Sequence, residues 1–233
     1  MEWDYKAESA KALSGIRHQL LKGPTQKALD EQLQLTRLLE SLAQHAILKY
    51  PVRVKHTHSA RPDFQLLVGE QRISLEASKI ASPNYGHAAS LQHQGLHAVL
   101  MDSEFLRPGQ PRLPRKEVIQ KGFIIPQMVY PPSAQEIDAA WWEHFQRVVE
   151  GKLKKLSEDD FQHGDEDWLV LWDRLGTDDW QMEDRLPKVR AWLAPIWNRR
   201  HGFSRIFIQE QDFAWIAGLS RGHGGFLTRL PSS

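Results

Sequence analysis

The sequence predicts an α/β protein, a mixed β-sheet flanked by helices with a helical segment at its amino-terminal end. Three observations lead there. Stretches with apolar residues at helical spacing are interspersed with short strand-like runs along the whole chain. The stretch "DFQLLVGEQRISLEAS", Asp63 to Ser78, reads as two strands around a Gly-Glu-Gln turn. "DWLVLWDRL", Asp167 to Leu175, is a short, continuously apolar run of the kind buried on both faces of a sheet.

Residues 1–50 read as two helices separated by Gly23-Pro24, because proline cannot continue a helix it interrupts. In the second, Leu35, Leu38, Leu39, Leu42 and Ala46 repeat at helical spacing and define one apolar stripe, which Pro51 stops. "VRVKHTHS" then alternates as a strand. In the hairpin that follows, Ile73, Leu75 and Ala77 share one face, and Ser74, Glu76 and Ser78 the other. Pro83-Asn84-Tyr85-Gly86 is a break, and six prolines between Arg107 and Pro132 predict a long, irregular connection.

Ser133-Ala134-Gln135-Glu136 is a capping box that opens a helix to about Leu156. A further helix is expected from about Asp184 to Arg200, interrupted by Pro195. "SRIFI" and "AWIAGL" are expected to close the chain as a hairpin across Glu210-Gln211-Asp212, and "SRGHGG", Ser220 to Gly225, to be a flexible tail. Repeats, low-complexity blocks and clear linkers are all lacking. The 233 residues are therefore read as a single domain with a helical part at 1–50, motif-bearing strands at 51–82 and the remaining helices and strands at 133–219.

Composition narrows the function. With no cysteine, neither disulfides nor thiolate metal sites can form, which fits a cytoplasmic location. No apolar run approaches eighteen residues, and "MEWDYKAES" has no hydrophobic leader core, so no membrane partner and no signal peptide are expected. Thirty basic against 29 acidic residues give a net charge of +1, so a nucleic-acid partner would have to be held by a local patch. Phosphate-binding loop, dinucleotide-binding and nucleophile-elbow patterns are not found.

The hairpin carries the chemistry. Folding the chain at Gly69 brings Asp63, at the start of the first strand, beside Glu76, near the end of the second. Two carboxylates there reach one hard divalent cation, which takes carboxylate, carbonyl and water oxygens. Such an ion activates a water and stabilises charge on a phosphate. Solvated charges at strand ends are the alternative.

Pro62-Asp63, the strand-turn-strand, Glu76 and the nearby Lys79 resemble the PD-(D/E)XK nuclease superfamily, the restriction-endonuclease-like fold. The resemblance covers residues 50 to 82 as motif and implies an αβββαβ core. It implies that Asp63, Glu76 and the Ala77 carbonyl bind Mg²⁺ or Mn²⁺, that a lysine polarises the attacking water, and that the partner is nucleic acid, DNA before RNA. The family's lysine stands two residues after the second acid, where this chain has Ser78. In a regular strand Lys79 points away from Glu76. A bulge after Glu76 would bring Lys79 round, a lysine from elsewhere would replace it, or the protein binds without cutting. Lys152 is the best replacement, because it continues the stripe of Ile137, Trp141, Phe145 and Val148. The family also often places an acid on a preceding helix, for which Glu40 is the candidate, with a solvated helix-face charge as the alternative.

His56, His58 and Ser78 are expected to contact substrate near the acids. Arg112 and Arg115, with Arg107 and Lys116, and the run of Arg199, Arg200 and Arg205 are the phosphate-contacting candidates. The alternatives are an inactive nuclease-like fold that binds nucleic acid or protein, and a hydrolase with zinc on His56 and His58. His93 and His97, four apart, are a further zinc or iron spacing but lack the metalloprotease glutamate.

Overall fold

The structure is a computed structural model that describes residues 2–5, 26–44, 52–57, 62–81, 113–114, 116–117, 134–175, 179–198, 202–210, 215–221 and 223–229. Its elements run β1 (Glu2–Tyr5), α1 (Gln26–Gln44), β2 (Val52–His56), β3 (Phe64–Val68), β4 (Gln71–Ile80), α2 (Ala134–Leu156), β5 (Glu166–Asp173), α3 (Asp179–Trp197), β6 (Arg205–Gln209), β7 (Trp215–Ser220) and β8 (His223–Arg229).

The strands form one sheet in chain order. β1 to β4 are an antiparallel meander, β5 and β6 are parallel, and β6 to β8 are antiparallel. The parallel pair needs a crossover, which α3 supplies. The molecule is thus α/β with a mixed sheet. The chain divides into two compact units, Met1–Lys79 with Gly151–Ser233, and Ile80–Glu150.

In the first unit, α1 packs its leucine stripe on one face of the sheet. Leu35, Leu38, Leu39 and Leu42 meet Val52 and Val54 of β2, Phe64 and Leu66 of β3, Ile73, Leu75 and Ala77 of β4, and Trp168 and Val170 of β5. Each leucine buried there stabilises the fold by about 1.5–3 kcal/mol. β5 is buried from Trp168 to Asp173, as its unbroken apolar run predicts. In the second unit, Trp141, Trp142 and Phe145 of α2 stack, with Trp141 and Phe145 ring centroids 5.1 Å apart. His144 is buried beside them, and its Nδ1 lies 2.9 Å from Nη2 of Arg147.

Three elements depart from the sequence expectation. β1 falls in a stretch read as helical; four residues carry too little periodicity, and pairing with β2 decides their conformation. The glycine-rich "SRGHGG" is the hairpin between β7 and β8 rather than a tail, with Ser220 opposite His223 and a register irregularity between Gly218 and Ser220. Glycine hides a strand from propensity, and a neighbouring strand restores it. α3 starts at Asp179 and runs through Pro187 and Pro195. The carbonyls these prolines leave unbonded, at Glu183 and Ala191, belong to exposed residues, where water can reach them. Beyond β1 the expected first helix before Gly23, Ala46, the break at Pro83–Gly86 and, apart from residues 113, 114, 116 and 117, the connection from Arg107 to Pro132 lie outside the described residues.

Candidate functional site

The site is built on the β3–β4 hairpin. Its turn needs a residue in the left-handed region, which Gly69 supplies at φ 62°. The register pairs Phe64 with Leu75, so the next position sets Asp63 opposite Glu76 on the same face. Thr57, just past β2, holds the lead-in. Its hydroxyl donates to the Pro62 carbonyl, and its backbone N–H donates to the Asp63 carbonyl at 3.1 Å.

Four groups, from β4, α2 and the residue just before β3, meet there. Lys152 Nζ, from the last turns of α2, donates to Glu76 Oε2 at 2.5 Å, to the Ala77 carbonyl at 2.8 Å and to Asp63 Oδ2 at 3.4 Å. Asp63 Oδ2 also accepts the Ala77 backbone N–H at 2.9 Å, which fixes the carboxylate across the two strands. Glu76 is 2% exposed and Lys152 8%, whereas Asp63 opens the cluster toward solvent. Burial pushes the Glu76 carboxyl above its ordinary value, with the Asp63 charge adding to the rise. The Lys152 ammonium pulls it back, less than burial raises it. The donor set is two carboxylates and one carbonyl, all hard oxygens that suit Mg²⁺ or Mn²⁺. Groups of three or more His, Asp and Glu side chains that could hold a metal do not occur among the described residues.

β4 runs unbroken from Gln71 to Ile80, with Ile73, Leu75 and Ala77 in the α1-facing core. Strand alternation then sends Lys79 to that face. Its ammonium pairs with Asp30 of α1 and lies 5.4 Å over the Trp172 ring. Of the two lysines the sequence offered for the water, Lys152 is the one at the carboxylates. Ser78, two residues after Glu76, is half-buried, and its carbonyl accepts from Gln34 Nε2 at 3.0 Å.

His56 is placed differently from its expected role as a substrate contact. It is buried, stacks on Phe64 with centroids 4.7 Å apart, and has Nε2 3.5 Å from Glu31 Oε2. Its phase with Val52 and Val54, two residues apart on the buried face, was the signal for this. Glu40 of α1 accepts from Arg37 at 3.0 Å. Arg205 donates to Glu166 at 3.2 Å and covers Trp168 at 5.1 Å, holding the start of β6 against β5. His58, His93, His97, Arg107, Arg112, Arg115, Arg199 and Arg200 lie outside the described residues. Thr57 was missed by sequence reasoning; a threonine before a loop carries no signal until the loop closes on it.

Comparison with family models, with curated proteins and with solved structures finds no match. Among the described residues no helix is long and apolar enough to cross a membrane.

Proposed function

We propose that the protein is a divalent-metal-dependent nuclease that hydrolyses phosphodiester bonds, in DNA before RNA. The observation that carries this reading is the convergence of Asp63 Oδ2, Glu76 Oε2 and the Ala77 carbonyl on one cationic centre, Lys152 Nζ. These are the groups that the PD-(D/E)XK resemblance assigns to the ion, with a lysine beside them. The order α1-β2-β3-β4-α2-β5, with β2 to β5 adjacent in the sheet, also supports it, because it repeats the αβββαβ order of that fold.

Asp63, Glu76 and the Ala77 carbonyl would hold Mg²⁺ or Mn²⁺. When bound, the ion supplies a water of lowered pKa and a counter-charge for the phosphate. The chain itself does the positioning. Asp63 is fixed by the Ala77 N–H and Glu76 by burial, so neither carboxylate needs to reorganise. The Lys152 ammonium neutralises Glu76 in a water-poor setting. With the ion on those three oxygens, the ammonium would be displaced from them and left beside the site to donate to the attacking water.

One observation favours the second reading, a nuclease-like fold that binds without cutting. Lys152 already satisfies both acids, so the network is complete as a structural ion cluster. The histidine-zinc reading loses His56 to the core.

A panel of labelled duplex DNA, single-stranded DNA and RNA separates the two readings. Cleavage in Mg²⁺ that stops in chelator, and in Asp63→Asn and Lys152→Met, is the expected result. Cleavage that persists in Asp63→Asn removes the assignment. A wild type that binds the panel and never cuts it leaves the binding module.

A further inference from the structure

The bonding of Lys152 is complete. A lysine ammonium has three N–H donors and no acceptor. Those of Lys152 go to Glu76 Oε2 at 2.5 Å, to the Ala77 carbonyl at 2.8 Å and to Asp63 Oδ2 at 3.4 Å. They are the same three oxygens that the nuclease reading gives to the ion. While Lys152 holds this position, no donor remains for a water. Nζ therefore cannot bind the acids and serve an attacking water at the same time.

The contact is also sheltered. The Lys152 side chain is 10% exposed and that of Glu76 2%, so little water competes for the pair. With both acids ionised, two carboxylates face one ammonium, which leaves one negative charge over. Lys155 of α2 also acts on Glu76, more weakly than Lys152 does. A monovalent cation on these oxygens would only repeat the charge that Lys152 supplies, whereas a divalent one gains on it. The ammonium has a way out, because the Asp63 side chain is 18% exposed and a lysine stem is flexible. Lys79, the other lysine near Glu76 in sequence, is engaged on the α1 face with Asp30.

We infer that Lys152 is the resident counter-ion of the metal-free protein, and that a divalent ion enters by exchange with its ammonium. The inference rests on the reading of Asp63, Glu76 and the Ala77 carbonyl as the ligands of that ion. Beyond that reading, it makes Lys152 the residue that sets the affinity of the site. Each ion that binds must first break the three hydrogen bonds of a buried ammonium, so Lys152 weakens binding. The same exchange frees the ammonium, so Lys152 becomes available to a water only once the site is loaded.

The test is calorimetric titration of Mn²⁺ into the full chain as wild type, as Lys152→Met and, to control for charge alone, as Lys79→Met. Lys152→Met should bind at least about tenfold more tightly than wild type, because no buried ion pair has to be broken. Lys79→Met should bind like wild type. By linkage, saturating Mn²⁺ should raise the urea midpoint of Lys152→Met more than that of wild type. Lys152→Met loses stability without metal, so a second measurement uses the wild type. NMR of isotope-labelled lysine side chains detects a buried, hydrogen-bonded ammonium as a slowly exchanging signal, assigned by its loss in Lys152→Arg. Diamagnetic Mg²⁺ should remove that signal over the same concentrations that produce binding heat.

Equal or weaker Mn²⁺ binding by Lys152→Met overturns the exchange and leaves the metal site standing. An equal gain in Lys79→Met overturns it too, since loss of charge alone would then account for both. So does an ammonium signal that persists at saturating Mg²⁺. Binding by Lys152→Met without binding by wild type upholds Lys152 as the counter-ion and removes the metal-dependent nuclease. Silence from all three proteins removes both.

Discussion

Lys152 and Glu76 form a buried ion pair, and such pairs are costly to break singly and cheap to replace together. Lys152→Met strands a buried carboxylate and should lower unfolding free energy by about 3 kcal/mol, read by urea denaturation. Adding Glu76→Leu should recover most of that loss, and additive losses would show that the two side chains are not coupled. Lys79→Met removes a pairing by a well-exposed lysine and should change stability by less than about 1 kcal/mol, leaving any cleavage intact. Asp63 and Glu76 were legible because a hairpin with period-two alternation fixes which residues face each other. Lys152 was legible as the next step of an apolar helical stripe. The partner of Lys79 was not, because Asp30 is 49 residues away and nothing local points to it. His56 shows the opposite case, a readable phase set aside in favour of its chemistry.

At the scale of elements, the regularity of β4 decides which lysine serves the acids. An unbroken strand puts Lys79 on the α1 face and leaves the Glu76 face to Lys152, from the end of α2. The segment Gln162 to Asp165 is held against β4 by backbone contact, and a Cβ at Gly164 would stand 2.6 Å from the Arg72 carbonyl oxygen, so Gly164→Ala must move that backbone. It should cost about 1–3 kcal/mol, measured as a shift in denaturation midpoint at unchanged slope. An unchanged midpoint would show that the segment stands off the strand. α1, β2, the hairpin, α2, β5 and the β6–β7 hairpin were readable, because each carries its own periodicity or cap. β1 and β8 were not, since a strand of four residues and a glycine-rich one take their conformation from a neighbour. α3 was readable in part, and its prolines misled because the hydrogen-bond part of their cost is smaller where the freed carbonyls belong to exposed residues.

For the molecule as a whole, acid sensitivity has an identifiable source in the second unit. Burial, with the Arg147 charge beside it, lowers the His144 pKa from 6.5 to about 4. The folded state therefore holds this ring neutral, while the unfolded chain takes up a proton below 6.5. Its contribution is full above that value and is lost as pH falls toward 4. Between about pH 7 and about pH 5 the loss should be about 2 kcal/mol, and His144→Gln should remove it from the pH dependence of urea unfolding. An identical pH dependence in the variant would place the sensitivity elsewhere. The division into two units, Met1–Lys79 with Gly151–Ser233 and Ile80–Glu150, falls inside β4 and α2, where no composition change marks it.

The central claim is that Asp63 and Glu76 hold a divalent cation, and the direct measurement is calorimetric titration of Mn²⁺ into the whole chain. The wild type should bind saturably, and both Asp63→Asn and Glu76→Gln should abolish the heat. Three proteins that respond alike, whether by binding or by silence, would contradict the metal site and leave Lys152 as the only cation the acids were built for.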